Sequence, residues 1–440
     1  MAFVERLTVY KDSLKVFQDY PLTGAGGGAW FNLYQQYQNN PYTVKQVHNF
    51  FLQYLNETGL IGFFALMVLL ISVFVLYARQ FFKQDHSERG THQIFYIVAV
   101  SLLVHSVLDF EMSYAYLAAL VFLCLGGMAA SIGQPVPLLS SQHIAALNKG
   151  AFRLIYPSAV GILSLVIIFA AVRELQGNRY YAETMHMLTT QQDLAMDDVF
   201  RPLGAALHVS TEHPEYLNLK IQLLYQGYNQ TKDARFEQQA KQYLAELDHS
   251  SPYDKQRLEF EYNQYVSEDK LDEALAVTER SLQQGIWGIN ASRGGPNWYT
   301  RAIALSYELG ERARADRQPE LQAKRWDRAE ELYQTAVAKK ESLKALPPGQ
   351  LQGELFDIAP DMSLFVGQIN FQRSNHERAA ELFKQHVSDQ TDDPLNRTLV
   401  RWYLAALQKQ GKSDSAVYDA FVTKHPEEQE QIAKLVSDNS

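Results

Sequence analysis

His48, Arg6 and a run of glycines are the residues of this chain best placed to do chemistry. His48 opens the segment His48-Asn49-Phe50-Phe51-Leu52-Gln53, shortly before a long apolar run that begins at Leu60. An imidazole titrates near neutrality, so there it can take a proton from a hydroxyl at working pH. The alternative is a histidine that only packs. Arg6 offers a permanently charged planar fork that can take an anion's oxygens in pairs. The alternative is a surface arginine on an amphipathic helix over residues 5–19. Gly24, Gly26, Gly27 and Gly28 either let backbone amides approach a ligand's oxygens or form a flexible loop ahead of a helix. No Gly-Lys-Ser/Thr follows them, which excludes a nucleotide P-loop. His105 and Asp109 lie four apart, on one face if helical, and ionisable groups at membrane depth are functional candidates. Glu111 lies just beyond, where a carboxylate could orient His48 or an acceptor, or simply solvate a helix end. No His/Cys/Asp cluster has metal-ligand spacing and no Asp-x-Asp occurs, so neither a metal nor another cofactor is expected.

The elements that must hold these groups read as membrane helices. A span needs about 20 mostly apolar residues, and four runs are expected to qualify: 60–82, 94–108, 115–132 and 152–172. The loop after the first carries Arg79, Lys83 and Arg89, and the loop after the third carries Lys149 and Arg153. The turn between the second and third, with Asp109 and Glu111, has neither Lys nor Arg. Positive loops stay in the cytoplasm. Residues 1–58, that turn and everything after Arg173 are therefore expected outside. Residues 1–6 do not read as a signal peptide.

The sequence as a whole divides into three expected segments: an extracytoplasmic loop, 1–58; membrane helices, 59–173; and a polar helical region, 174–440. The chain has 440 residues and a net charge of -9, which argues against a nucleic-acid partner. Its single cysteine, Cys124, excludes an intrachain disulfide. From about Asn178 the pattern is helical, and a small residue after an acidic turn recurs at Ala240, Ala274, Ala329 and Ala380. This theme resembles the second helix of a tetratricopeptide repeat. The fold class is thus all-α: about four membrane helices followed by an extracytoplasmic tetratricopeptide-like solenoid of three to five repeats. Insertions are expected at 288–296 and 347–360. The many aromatics here are better explained as fillers between helices than as a sugar-binding face.

The order Pro21-Leu22-Thr23-Gly24-Ala25-Gly26-Gly27-Gly28, then His48-Asn49-Phe50-Phe51-Leu52-Gln53, then Glu57-Thr58-Gly59-Leu60-Ile61-Gly62 resembles the C-terminal part of the O-antigen ligase and polymerase family, over roughly residues 4–130. The resemblance implies a bacterial cytoplasmic-membrane glycosyltransferase. It would move a glycan from a polyprenyl-pyrophosphate carrier to a glycan, lipid or protein acceptor on the outer face. It also implies His48 as base, Arg6 on the pyrophosphate, and Gly24, Gly26, Gly28, Asn49, Asp109 and Glu111 near substrate. Because many helices precede this loop in the family, the chain reads as a C-terminal piece of a longer ancestor. A reading of another class is a non-catalytic anchor that presents a repeat scaffold to envelope proteins.

Overall fold

A computed structural model describes residues 3–83, 90–130, 152–190, 195–289, 297–348, 350 and 356–437. Among them the fold is all-α: eighteen α-helices, one short 3-10 turn at Glu111–Ser113, and no strand. Two helices are long and apolar enough to cross a membrane, Phe50–Phe81 and Ser158–Thr190. The other two expected spans are shorter apolar helices, Gln93–His105 and Ala115–Ala130. A helix of 16 residues rises about 24 Å, less than the ~30 Å of a hydrocarbon core. Most of the expected insertion at 288–296 and part of that at 347–360 lie outside the described residues, as does the loop 131–151.

Contacts divide the chain into two compact units, residues 1–60 with 258–440, and residues 61–257. This division cuts across the change in composition near Arg173. Composition follows the surrounding solvent, whereas contacts follow packing.

In the second unit the helix Phe152–Thr190 runs well past the apolar stretch that ends near Val172. Its polar end packs on the helices that follow. Gly177 leaves room for Tyr216, whose hydroxyl donates to Asn178 Oδ1 at 2.9 Å. Tyr181 and His213 each stack on this buried ring.

Beyond Pro214 the chain folds as five helical hairpins: 214–231 with 234–250, 255–267 with 271–284, 298–315 with 319–344, 360–372 with 376–384, and 394–409 with 415–424. In the last four, the turn repeats the same hydrogen bond. The amides of Lys270, Gln318, Asn375 and Lys412 donate to the carbonyls of Tyr265, Ala313, Asn370 and Leu407 at 2.8–2.9 Å. Each bond spans one left-handed residue, respectively Asp269, Arg317, Ser374 and Gly411. This is the Schellman closure, which satisfies a carbonyl the helix end leaves open. Small residues let the helices meet. Ala240, Ala274, Ala329 and Ala379 are fully buried. Gly310 lies under Trp326 and Gly367 under Phe383, each so close that a Cβ would come within 3 Å of the ring.

Arginine–carboxylate pairs then stitch one hairpin to the next. Arg312 grips Asp269 with two bonds of 2.7 and 2.8 Å. Arg301 pairs with Glu259 and lies 4.5 Å from the Tyr262 ring centre and 4.6 Å from that of Trp298. Trp298 and Tyr299 are buried and Tyr262 packs against the core, so these aromatics fill the hairpins as the sequence suggests.

Candidate active site

The glycine-rich loop and the Glu57-Thr58-Gly59 segment, far apart in sequence, form one interlocked joint. Helix α3, Phe50–Phe81, is broken at Gly59, whose φ of 63° and ψ of -166° are not helical. A break of this kind frees backbone groups that must find other partners. The loop supplies them. The amides of Ala25 and Gly26 donate to the carbonyls of Asn56 and Glu57 at 2.8 and 3.1 Å, and the Leu60 amide donates to the Pro21 carbonyl at 2.8 Å. A Cβ on Gly24 would collide with the backbone of Glu57 and Thr58, and a Cβ on Gly59 with that of Leu22 and Gly24. Both residues also have positive φ, so only glycine fits either side. The apolar span therefore starts just past a locked hinge.

Backbone conformation accounts for Gly24, Gly26 and Gly28, which all have positive φ, whereas open space surrounds Gly27. The Gly26 amide is used inside the protein, and Gly28 adopts a left-handed conformation at the start of helix α2, Ala29–Tyr37.

His48 lies two residues ahead of α3, with Asn49 between. Asn49 caps that helix, its side-chain oxygen accepting from the Leu52 amide at 3.0 Å. Capping accounts for Asn49 in structural terms. His48 itself has φ 56°, one of five non-glycine residues with positive φ among the described residues. Such a conformation costs of order 1–3 kcal/mol and persists only where the surroundings impose it. Here the Tyr10 hydroxyl donates to the His48 carbonyl at 2.7 Å. The imidazole is half-buried at the mouth of the broken helix.

Helix α1, Phe3–Asp19, carries the groups that hold this arrangement. Val9, Asp12, Ser13 and Val16 form its buried stripe. Asp12, only 1% exposed, accepts from Lys15 Nζ at 2.7 Å, the Asn39 amide at 2.9 Å and the Tyr42 hydroxyl at 2.8 Å. Burial and the adjoining Asp12 carboxylate hold the Tyr42 phenol protonated far above the usual range. The Ser13 hydroxyl accepts from Asn56 Nδ2 at 2.8 Å. Arg6 stands one turn before Tyr10 on the same side of α1, with its Nε buried. Arg6, His48 and the glycine loop thus belong to one compact module.

Tyr10, Asp12, Ser13, Tyr42 and Asn56 escape the sequence reading because their partners are distant in sequence. The one available signal is a carboxylate and a hydroxyl within an apolar stripe at helical spacing, Val9-Asp12-Ser13-Val16.

Asp109 and Glu111 belong to the other unit. The expected sharing of one helical face by His105 and Asp109 does not occur, because the helix Gly90–His105 ends at His105. His105 Nδ1 pairs instead with Glu111 Oε1. Asp109 turns its carboxylate onto the Phe110 amide at 3.0 Å. No group of three or more metal-ligating side chains occurs among the described residues.

Residues 1–67 match the family model of O-antigen ligase. The match spans α1, the glycine loop, His48, the Gly59 break and the first turns of the apolar span, and does not reach the hairpins. No curated protein matches the chain.

Proposed function

We propose that the chain is a membrane glycosyltransferase of the O-antigen ligase and polymerase type. His48 takes the proton of an acceptor hydroxyl. The oxygen attacks the anomeric carbon of a glycan on its polyprenyl-pyrophosphate carrier, the bond from that carbon to the pyrophosphate oxygen breaks, and polyprenyl pyrophosphate leaves. Arg6 offsets the charge gathering on the leaving group. The observation that carries this reading is the family match over the same residues that hold His48 in a left-handed conformation at the mouth of an apolar helix. The Lys/Arg bias of the loops sets residues 1–58 and the helical hairpins on the outer side of the cytoplasmic membrane. We read the hairpins as tetratricopeptide-like, on the strength of their recurring Schellman turns and buried alanines, with an acceptor or envelope protein as their partner. On the same reading Asn49, Asp109 and Glu111 lie near substrate, while the internal use of the Gly26 amide weakens the case for glycine-loop amides as ligands.

The test is transfer in vitro. The purified chain in lipid is given a polyprenyl-pyrophosphate-linked glycan and a mixed acceptor fraction, and release of polyprenyl pyrophosphate is followed. Loss of a general base removes about 10²- to 10⁴-fold of rate, so His48→Ala is expected to fall by that much at unchanged membrane abundance. Arg6→Lys, which keeps the charge but loses the fork, is expected to be impaired as well. Turnover by His48→Ala equal to the wild type would favour the anchored scaffold, which the internal use of the Ala25 and Gly26 amides also suits.

A further inference from the structure

The helical hairpins carry two long connections, between helices 271–284 and 298–315 and between helices 319–344 and 360–372. Their described parts converge on one short stretch of the N-terminal module. The Ile286 amide donates to the Gln35 carbonyl at 3.1 Å. Trp287 Nε1 donates to the Gln38 carbonyl at 3.2 Å. Gln350 Nε2 lies 3.4 Å from Asn40 Oδ1. Phe356 of the second connection packs edge-on against Trp287 of the first, ring centres 5.4 Å apart. Gln38, Asn40, Trp287 and Gln350 are all at least nine-tenths buried. The stretch they hold is a strap, residues 38–47, that leaves α2 and ends at His48. Its other side is held by α1 and α2, through Asp12 on the Asn39 amide and Trp30 Nε1 on the Val44 carbonyl at 3.0 Å.

We propose that these two connections of the helical domain, through Trp287 and Gln350, are positioning elements for His48. They clamp the start of the strap at Gln38 and Asn40, and so help fix the path of the chain that leads into the left-handed residue. Two physical points carry this. A strap without regular structure keeps one conformation only if its buried backbone groups are paired, and the Gln38 carbonyl is paired by Trp287. A strained residue persists only where the surrounding structure over-determines it; Tyr10 on the His48 carbonyl, the Asn49 cap and the Val47 amide on Gln53 Oε1 at 3.4 Å hold it from within the module, and the clamp adds a hold at the far end of the strap. The helical domain is thereby part of the candidate site as well as a recruiter of partners. This inference rests on the reading of His48 as base only for its catalytic consequence; the clamp itself is read separately.

The experiment uses the full chain in lipid. Lys45 is exposed within the strap, so trypsin cleavage after it reports opening. Trp287→Phe removes the N–H together with the five-membered ring, a volume loss that the Trp326→Phe control shares, and leaves a buried carbonyl unpaired, which is expected to raise the cleavage rate about tenfold; Trp287→Ala should raise it further. Trp326→Phe is the control, a buried indole in the same domain away from the strap, expected to leave that rate unchanged. In the transfer assay, Trp287→Phe should lower kcat while KM for the carrier-linked glycan stays constant, because binding groups are untouched. Faster cleavage in Trp287→Phe but not in Trp326→Phe supports the clamp even in a preparation without transferase activity, which would count against the proposed function alone. Equal cleavage in wild type and Trp287→Phe overturns the clamp, even if His48→Ala is inactive. A faster-cleaved Trp287→Phe with unchanged kcat overturns the positioning of His48.

Discussion

Residues 3–60 and the hairpins beyond residue 258 both hold short helices together, with different materials. The N-terminal module relies on buried polar groups, each with a named partner far along the chain: Asp12 with Tyr42 and Asn39, Ser13 with Asn56, Ala25 and Gly26 with the carbonyls freed at Gly59. The hairpins rely on small residues beneath large ones and on a turn that repeats, with arginine pairs at the seams. Directional bonds fix atoms in place, as a reacting group requires. Small-on-large packing fixes helix spacing and tolerates exchange of surface residues. The contrast suggests that geometry is protected in the first region and spacing in the second.

The contrast breaks first at the Gly24–Gly59 joint. Gly59→Ala is expected to cost about 3 kcal/mol or more, since a Cβ there meets backbone and the residue needs positive φ. Membrane abundance and thermal aggregation in detergent would report it, and a fully stable Gly59→Ala would show that the break is not locked. A smaller loss is expected in the hairpins. Gly367→Ala should cost about 1–3 kcal/mol through the Phe383 ring, and Phe383→Leu in the same chain should return part of it. A double-mutant cycle with no coupling would remove small-on-large packing as the cause.

Smaller again, and opposite in sign, is Ser374→Gly. Relieving a left-handed serine at a helix end should stabilise by about 0.5–1 kcal/mol, seen as a rise in Tm; a fall would mean the serine is held there for another reason.

The last effect, which differs in depending on pH, concerns Lys220, buried against Phe200 with its Nζ 3.5 Å from the ring centre. Burial lowers its pKa from 10.5 to about 8. Between those values the unfolded chain binds more protons than the folded one, so stability rises with pH through that window and the cost is fully present below about 8. Lys220→Met should therefore be the more stable form at pH 7, and the gap between the two Tm values should narrow as pH rises from about 8 to 10.5. A difference that does not change with pH would assign the effect to packing.

Much of this arrangement is legible in the sequence, and the illegible part has a common cause. The helical character, the apolar run from Leu60 and the small residues at Ala240, Ala274 and Ala329 follow from local periodicity, because helix formation and burial of one face are local events. The hairpin aromatics also read correctly as fillers. The motif words around Gly24, His48 and Gly59 are visible as words, yet the sequence does not say that the first and last are two halves of one joint. Asp12 and Tyr42, thirty residues apart in contact, and Trp287 on Gln38, 249 residues apart, leave no local trace. The helix expected to carry both His105 and Asp109 ends earlier than periodicity suggests, and Glu111 takes the place of Asp109 beside His105.

The central claim is that the N-terminal module holds His48 in its strained conformation in order to use its imidazole. Asparagine tolerates the left-handed region about as well as any non-glycine residue, so His48→Asn keeps the backbone and removes the base. The direct measurement is the transfer rate of His48→Asn beside its Tm in lipid. The account predicts a Tm equal to the wild type and a transfer rate lower by about 10²-fold or more. A His48→Asn chain that transfers glycan at the wild-type rate would contradict it, and would leave His48 as a conformational residue only.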